Sequence, residues 1–167
     1  MRVAIGADHA GFPLKDTLRK RVEALGHTAI DLGARELRPH DDYPDFAFAI
    51  ARAVVDGRAE RGVILCGSGV GASIAANKVA GIRAAVCHDT YSARQGVEHD
   101  DMNVLALGTR VIGSSLMEAI VHAFLCAAFT GEERHARRLE KVKAIEAAGS
   151  AVKQEMHGQQ MERGRRE

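Results

Sequence analysis

A single cysteine stands between an apolar run and three alternating glycines in V-I-L-C-G-S-G-V-G-A-S-I-A-A-N-K, residues 63–78. Because glycine has no side chain, this glycine turn (residues 67–71) lets the backbone come close to a ligand, and the N-terminus of a following helix attracts an anion. The thiol of Cys66 lies just before that helix, a position that favours the reactive thiolate. Ser68 is close enough in sequence to hydrogen-bond the sulfur or a substrate oxygen. A tight turn beside a small buried cysteine fits the same residues.

The spacing of the glycines bears on the class of ligand. G-S-G-V-G differs from the G-x-G-x-x-G of dinucleotide-binding folds and lacks the lysine and hydroxyl of the P-loop. The sequence therefore gives little support to a dinucleotide or a nucleoside triphosphate. The other two cysteines, Cys87 and Cys126, lie in apolar runs, and we expect both to be buried.

Three further polar clusters could contribute to a site. Asp8-His9 could transfer protons or bind an anion, or it could be a capping aspartate beside a surface histidine. E-H-D-D-M-N, residues 98–103, crowds three carboxylates, a histidine and an amide into a predicted loop, which favours acid–base chemistry or loop capping over a metal site. R-H-A-R-R, residues 134–138, places arginines on one helical face, where two could bind a phosphate, although a solvated charged helix has the same pattern.

Strand and helix patterns alternate along the chain and decide where these clusters meet. Short apolar runs predict strands at residues 2–6, 27–32, 62–65, 83–87 and 104–107. Helical spacing of apolar residues predicts helices near residues 13–25, 45–55, 72–79, 91–97 and 115–129. The order predicts an α/β fold, a three-layer Rossmann-like sandwich with a five-stranded parallel sheet. Ligands bind at the carboxyl ends of such strands, where Asp8-His9, the glycine turn, His88-Asp89 and residues 108–110 fall.

The composition of the chain changes near its carboxyl end. Residues 1–149 suit a single α/β domain. From Glu132 the sequence is strongly charged, with Leu139, Val142 and Ile145 as the apolar stripe of an exposed helix. Residues 150–167 are polar and have little to bury, which predicts a frayed or disordered tail.

Charge and cysteine usage exclude several classes of protein. Lys and Arg number 23 against 22 Asp and Glu, and this balance argues against a nucleic-acid-binding protein. The first residues do not form a signal peptide, and the apolar stretch at residues 117–129 is too short to span a membrane. Three cysteines without C-x-x-C spacing argue against a disulfide framework or a zinc site, so we expect reduced thiols in the cytoplasm.

Together these segments resemble the type B ribose-5-phosphate isomerases, a family that includes the galactose-6-phosphate isomerase subunits. The resemblance runs in collinear order through V-A-I-G-A-D-H-A-G-F-P-L-K (3–15), D-Y-P-D (42–45), I-L-C-G-S-G-V-G-A-S-I-A-A-N-K-V-A-G-I-R-A (64–84), D-T-Y-S-A (89–93), H-D-D-M-N-V-L-A-L-G-T-R-V-I-G (99–113) and R-H-A-R-R (134–138).

The resemblance implies an aldose–ketose isomerase of the pentose phosphate pathway that interconverts D-ribose 5-phosphate and D-ribulose 5-phosphate without a metal or other cofactor. It implies that Cys66 moves a proton between C2 and C1 through a cis-enediolate, with Ser68 assisting. Some members carry a glutamate base just after the glycines, where this chain has Ala72. The resemblance implies ring opening by Asp8 and His99. It further implies an anion hole at Gly67, Gly69, Val70 and Gly71, and substrate or phosphate ligands at His9, Asp100, Arg110, Arg134 and Arg138.

The resemblance also implies an active site shared between two subunits, hence a homodimer at least, with a tetramer left open. The C-terminal helix would then carry its arginines to the partner's cleft. One residue departs from the family, whose members usually have asparagine directly after the histidine where this chain has Asp100. A carboxylate cannot donate a hydrogen bond unless protonated, and it repels an oxyanion. Another short sugar phosphate (a tetrose or a hexose) and a sugar-phosphate-binding protein without catalysis therefore stay open.

Overall fold

Apolar runs of the sequence form one five-stranded sheet in the computed structural model. Strands β1 to β5 span Arg2–Ala7, Thr28–Asp31, Arg61–Cys66, Ala84–Val86 and Val104–Gly108. All neighbouring strands are parallel, in the order β2-β1-β3-β5-β4. The central strands β1, β3 and β5 are buried almost throughout, as expected for a sheet that is covered on both faces. The predicted parallel sheet is confirmed.

Helices cover both faces of this sheet. Helices α1 to α5 span Phe12–Ala24, Tyr43–Val55, Val70–Ala76, Thr90–Asp100 and Ser114–Cys126. On one face, Leu18 of α1 and Phe124 of α5 belong to a core that also contains residues of α4 and alternate residues of the strands. On the other face, Ile50 of α2 and Ala72 of α3 pack with Ile64 and Cys66. These two cores give the predicted three-layer α/β sandwich.

Helix α4 is longer than its sequence suggests. The pattern predicts a helix over residues 91–97, but the helix runs on to Asp100 and ends where Asp101 adopts the left-handed conformation, with φ 51°. Aspartate tolerates this conformation better than most residues. Half of the polar cluster at residues 98–103 is therefore helical, and its prediction as a loop is wrong for that half.

Two other helices end earlier than predicted, at points where polar side chains hydrogen-bond to backbone groups. The predicted helix over residues 72–79 stops before Asn77, whose amide donates to the Ala84 carbonyl and accepts from the Ala84 N–H, both at 2.8 Å. The predicted helix over residues 115–129 stops at the end of α5, where Arg61 donates to two backbone carbonyls. Both side chains satisfy groups that a helix end or strand end leaves open.

The structure describes the backbone of residues 1–163 and the side chains of residues 1–149. Residues 1–130 form one compact unit, and the second begins at Gly131 and contains helix α6, Glu133–Arg163. The predicted division at residue 149 and the frayed tail stay predictions, and residues 164–167 of that tail lie outside the described residues. Among the helices that the structure describes, none is long and apolar enough to cross a membrane.

Candidate active site

Three loops meet at the carboxyl ends of β1, β3 and β5. The chain leaves β1 toward β2 on one side and leaves β3 toward β4 on the other, so the connections diverge between β1 and β3. Open parallel sheets bind ligands at this kind of divergence. Ala7 pairs with Leu65, and Cys66 pairs with Gly108. Asp8, Cys66 and Gly108 therefore lie side by side on strands about 4.8 Å apart.

The thiol of Cys66 is held by the glycine turn. Cys66 is buried at the end of β3, and its Sγ accepts the Gly69 N–H at 3.3 Å. Gly69 can bring its N–H to the sulfur because it adopts a φ of 80°, a conformation that costs glycine little. The Val70 N–H donates to Ser68 Oγ at 3.3 Å. Two donors of the predicted anion hole are thus engaged by the thiol and the hydroxyl in this structure.

Two side chains border the glycine turn. A Cβ on Gly71 would lie 2.6 Å from Cζ of Tyr43, so the tyrosine ring packs directly on this glycine. A Cβ on Gly67 would lie 3.6 Å from Nε of Arg110, which places the guanidinium beside the start of the turn. The predicted ligand Arg110 is therefore brought to the turn, together with a tyrosine whose phenol can donate or accept hydrogen bonds.

Thr109 ties the three loops together. Its N–H donates to the Cys66 carbonyl at 2.9 Å, and its Oγ1 lies 2.9 Å from the Ala10 carbonyl. The Arg110 N–H donates to the Gly67 carbonyl at 3.1 Å. These contacts link the loops that follow β5, β3 and β1, so the thiol and its surroundings are fixed to one another through the backbone.

Asp8 binds backbone N–H groups in the loop after β1. The sequence had suggested either such a capping contact or a chemical role for this residue. Asp8 is 5% exposed, and its Oδ1 accepts the N–H groups of Ala10 and Gly11, both at 2.9 Å. These bonds satisfy two N–H groups of the turn that leads into α1. Both bonds are made to one carboxylate oxygen.

His9 is paired with a carboxylate from the loop after β2. Its Nδ1 lies 2.7 Å from Asp41 Oδ1, and its backbone N–H donates to the same oxygen at 3.0 Å. The His9 side chain is 34% exposed, and that of Asp41 is 9% exposed. Asp41 lines an open cleft of about 840 Å³ formed by residues 33–42, Asp45 and Phe46. His9 therefore faces solvent with one ring nitrogen already engaged.

His88 and Asp89 organise the end of β4. Nε2 of His88 accepts the Gly108 N–H at 3.1 Å, so the ring proton of a neutral His88 is on Nδ1. Asp89 accepts the Ser92 N–H at 2.7 Å as the N-cap of α4, and this bond lowers the pKa of its carboxyl. Burial raises the pKa of the neighbouring Cys87 thiol to about 11, as suits a buried, unreactive cysteine. Cys126 is exposed at the end of α5, so its predicted burial is wrong.

Within one chain, His99 and Asp100 lie far from Cys66. Helix α4 starts at the carboxyl end of β4 and leads to the amino end of β5, so His99 lies about 14 Å along the helix from Thr90. Gln95 Nε2 is 2.8 Å from Nδ1 of His99. The Asn103 carbonyl, just beyond, accepts the Gly62 N–H at 2.9 Å near the start of β3. His99 and Asp100 are therefore at the opposite end of the sheet from the thiol.

Asp101 and Asn103, two further polar residues of the cluster at residues 98–103, hydrogen-bond to the segment just before β4. Asp101 Oδ2 accepts a hydrogen bond from Arg83 at 2.6 Å. The Asn103 amide accepts the Arg83 N–H and donates to the Gly81 carbonyl, both at 2.8 Å. Among the described residues, no group of three metal-ligating side chains could hold a metal ion. The remaining predicted ligands, Arg134 and Arg138, lie on α6 in the second unit.

Comparison with known proteins identifies the family. A family model described as Ribose/Galactose Isomerase matches residues 3–142. The chain belongs to this family. The ribose-5-phosphate isomerase B of Escherichia coli is 46% identical over 145 residues, 87% of this chain and 96% of the relative. The D-erythrulose-4-phosphate isomerase of Pectobacterium atrosepticum is 45% identical over 131 residues, 78% of this chain and 86% of the relative. A solved structure of Clostridium thermocellum ribose-5-phosphate isomerase B matches with a TM-score of 0.85 and 47% identity, covering 89% of this chain and 99% of that one.

Membership in the ribose/galactose isomerase family confirms the resemblance that the sequence motifs carried, whereas the roles of single side chains stay predictions. Sequence reasoning missed Asp41 and Tyr43 as parts of the site, and it placed His88 at a strand end without giving it a role. Tyr43 stood within the D-Y-P-D segment of the resemblance, which was the available signal. Asp41 had none, because its contact with His9 joins loops that are distant in sequence. The position of His88 at a strand end was a signal, but its contact with Gly108 could not be predicted.

Proposed function

We propose that this chain is an aldose–ketose isomerase that interconverts D-ribose 5-phosphate and D-ribulose 5-phosphate. The observation that carries the proposal is the placement of Cys66 at the end of β3, between β1 and β5. Its sulfur accepts an N–H donor, and Asp8 lies directly after the adjacent strand β1. Its similarity to the E. coli ribose-5-phosphate isomerase B supports the choice of substrate. Three free cysteines fit a reducing compartment, so we place the enzyme in the cytoplasm. The similarity to ribose-5-phosphate isomerase B supports a place for its reaction in the pentose phosphate pathway.

In the proposed mechanism, Asp8 and His99 first open the furanose ring to expose the aldehyde. The Cys66 thiolate then removes the proton from C2, and the C–H electrons form the C1–C2 double bond of a cis-enediolate with negative charge on O1. The thiol returns the proton to C1, while the hydroxyl proton on O2 moves to O1, which leaves a ketone at C2. N–H groups of the glycine turn and the Ser68 hydroxyl stabilise the oxyanion, and loss of one such donor typically costs about 3 kcal/mol.

We propose that the complete site requires a second copy of the chain. In one chain His99 and Asp100 are at the opposite end of the sheet from Cys66, so a partner must supply them if they act on the same sugar. In this arrangement the partner's α6 would also bring its two arginines to the phosphate. Cys66→Ala and His99→Asn are each expected to inactivate the homodimer.

Co-expressing the two variants tests this sharing. Each mixed dimer would contain one doubly defective site and one intact site. Random pairing should therefore restore about one quarter of the wild-type activity, because half of the dimers are mixed and each has one working site of two. A mixture as inactive as its components, despite mixed dimers detected by mass spectrometry, would show that Cys66 and His99 act within one chain.

The basic activity is tested by incubating the purified chain with D-ribose 5-phosphate in D₂O. The proposal predicts ribulose 5-phosphate as product, with solvent deuterium appearing at C1 by NMR. Binding of the sugar phosphate with no conversion and no exchange at C2 would instead indicate a binding protein.

A second candidate substrate is D-erythrulose 4-phosphate. It is supported by the relative from Pectobacterium atrosepticum and by Asp100, which removes an amide donor from the predicted substrate pocket. Measuring kcat/KM for both sugars in the wild type and in Asp100→Asn decides between them. We expect Asp100→Asn to raise kcat/KM for ribose 5-phosphate. A preference for the tetrose in both proteins would assign the chain to tetrose phosphates.

A further inference from the structure

The side chain of Asp41 contacts both the backbone and the ring of His9. One oxygen, Oδ1, accepts both the backbone N–H of His9 at 3.0 Å and Nδ1 of its ring at 2.7 Å. The two residues come from different loops: His9 follows β1, and Asp41 lies in the turn that leads into α2. Asp41 therefore fixes both the backbone position and the ring orientation of His9.

This contact decides which ring nitrogen is available to a ligand. A carboxylate can only accept, so the nitrogen that faces it, Nδ1, carries a proton. The other nitrogen, Nε2, is left for a ligand. If Nε2 donates to a phosphate oxygen, both nitrogens carry protons and the ring is a cation. The charge of Asp41 then balances that cation, and the hydrogen bond to the phosphate is charge-assisted.

The second oxygen of Asp41 is buried at a cost to the stability of the fold. The Asp41 side chain is 9% exposed, and Oδ2 is buried without a hydrogen-bond partner among the described residues. Burying an unpartnered carboxylate oxygen destabilises the folded chain. An asparagine could accept the same two N–H groups and would bury no charge, so the charge itself calls for a function.

We propose that Asp41 is a positioning residue that holds His9 as a doubly protonated cation for the phosphate of the substrate. The inference rests on the proposed function in one respect, that His9 binds the phosphate. Asp41 does not touch the substrate in this account, and its effect is transmitted through the His9 ring.

The direction of the effect in Asp41→Asn separates this role from simple electrostatics. Removing a negative charge near a bound phosphate should strengthen binding if Asp41 acts only through its field. The proposal predicts the reverse. Asp41→Asn should raise KM for ribose 5-phosphate and the inhibition constant of inorganic phosphate in the same proportion, on the order of tenfold, because a charge-assisted bond becomes a neutral one. The value of kcat should stay within about twofold, because the reacting carbons are not involved.

Glu36→Gln is the matched control, since it removes one carboxylate charge from the same loop and Glu36 contacts only Arg38 in the hydrogen bonds of that loop. We expect its KM and phosphate inhibition to equal those of the wild type. An equal rise of KM in the control, or an unchanged or lower KM in Asp41→Asn, would overturn the proposal. A fall in kcat at constant KM would also overturn it.

A measurement that needs no turnover completes the test. In ¹⁵N-histidine-labelled protein, assigned with a His9→Gln variant, saturating inorganic phosphate should protonate both His9 nitrogens in the wild type but not in Asp41→Asn. A singly protonated ring in phosphate-bound wild type would refute the inference. If the wild type fails to isomerise the sugar while the His9 signals behave as expected, the proposed function fails and the role of Asp41 stands.

Discussion

Gly108→Ala tests how tightly the glycine turn is fitted to the end of β5. A Cβ at this position would lie 2.7 Å from the Ser68 carbonyl oxygen, 2.8 Å from the Ser68 carbonyl carbon and 2.9 Å from Nε2 of His88. Two of these atoms belong to backbone, which cannot swing away as a flexible side chain can. To reach an ordinary contact distance, the turn must move by about 0.7 Å.

This displacement should affect both stability and activity. Overpacking of a buried site typically costs about 1–3 kcal/mol, so we expect that loss in the free energy of unfolding, measured by urea denaturation. The same shift moves Ser68 and the donors beside it, and a displacement of about 1 Å can cost 100-fold in rate, so kcat/KM should fall at least tenfold. Gly113→Ala is the control, because nothing lies within 4 Å of its new Cβ. If Gly108→Ala matched Gly113→Ala in both measurements, the packing described for the turn would be refuted.

Three further predictions concern residues outside the turn. Arg61→Ala should lower the free energy of unfolding by about 2–3 kcal/mol, because a charged donor to the carbonyls at the end of α5 is lost, and an unchanged urea midpoint would contradict this. Asp89→Asn should lower Tm at pH 7 but not near pH 2. The folded pKa of Asp89 is depressed by the Ser92 N–H, so its stabilisation is present above the unfolded pKa and lost as pH falls through the folded one. Cys87 has a folded pKa raised to about 11, so the unfolded thiol ionises first, and wild-type stability should fall between about pH 9 and 11 more steeply than that of Cys87→Ala.

The sheet and its layers could be predicted because their signals are local. The strands that carry Leu65 and Leu107 read as apolar runs, and apolar runs between helical patterns have few alternatives to a buried parallel sheet. Helix ends were less predictable. The ends of α3 and α5 depend on hydrogen bonds from Asn77 and Arg61 to backbone groups that are distant in sequence. The end of α4 depends on the left-handed conformation of Asp101.

The candidate site divides in the same way. Asp8, Cys66 and Arg110 could be brought together from sequence, because each follows a predicted strand and parallel strands end at one edge. His99 could not be placed, because its distance from the thiol depends on how far α4 continues through polar residues. The pairing of His9 with Asp41 was invisible as well, since no pattern links a residue after β1 to a loop after β2.

Cys66→Ala tests the central claim most directly. With ribose 5-phosphate deuterated at C2, the wild type should release deuterium from that carbon as the ketose forms. Cys66→Ala should do so slower by on the order of 10³-fold, because the general base is gone. Its Tm should stay close to that of Cys126→Ala, the exposed-cysteine control. If Cys66→Ala released deuterium at the wild-type rate, the account would be contradicted and another residue would have to be the base.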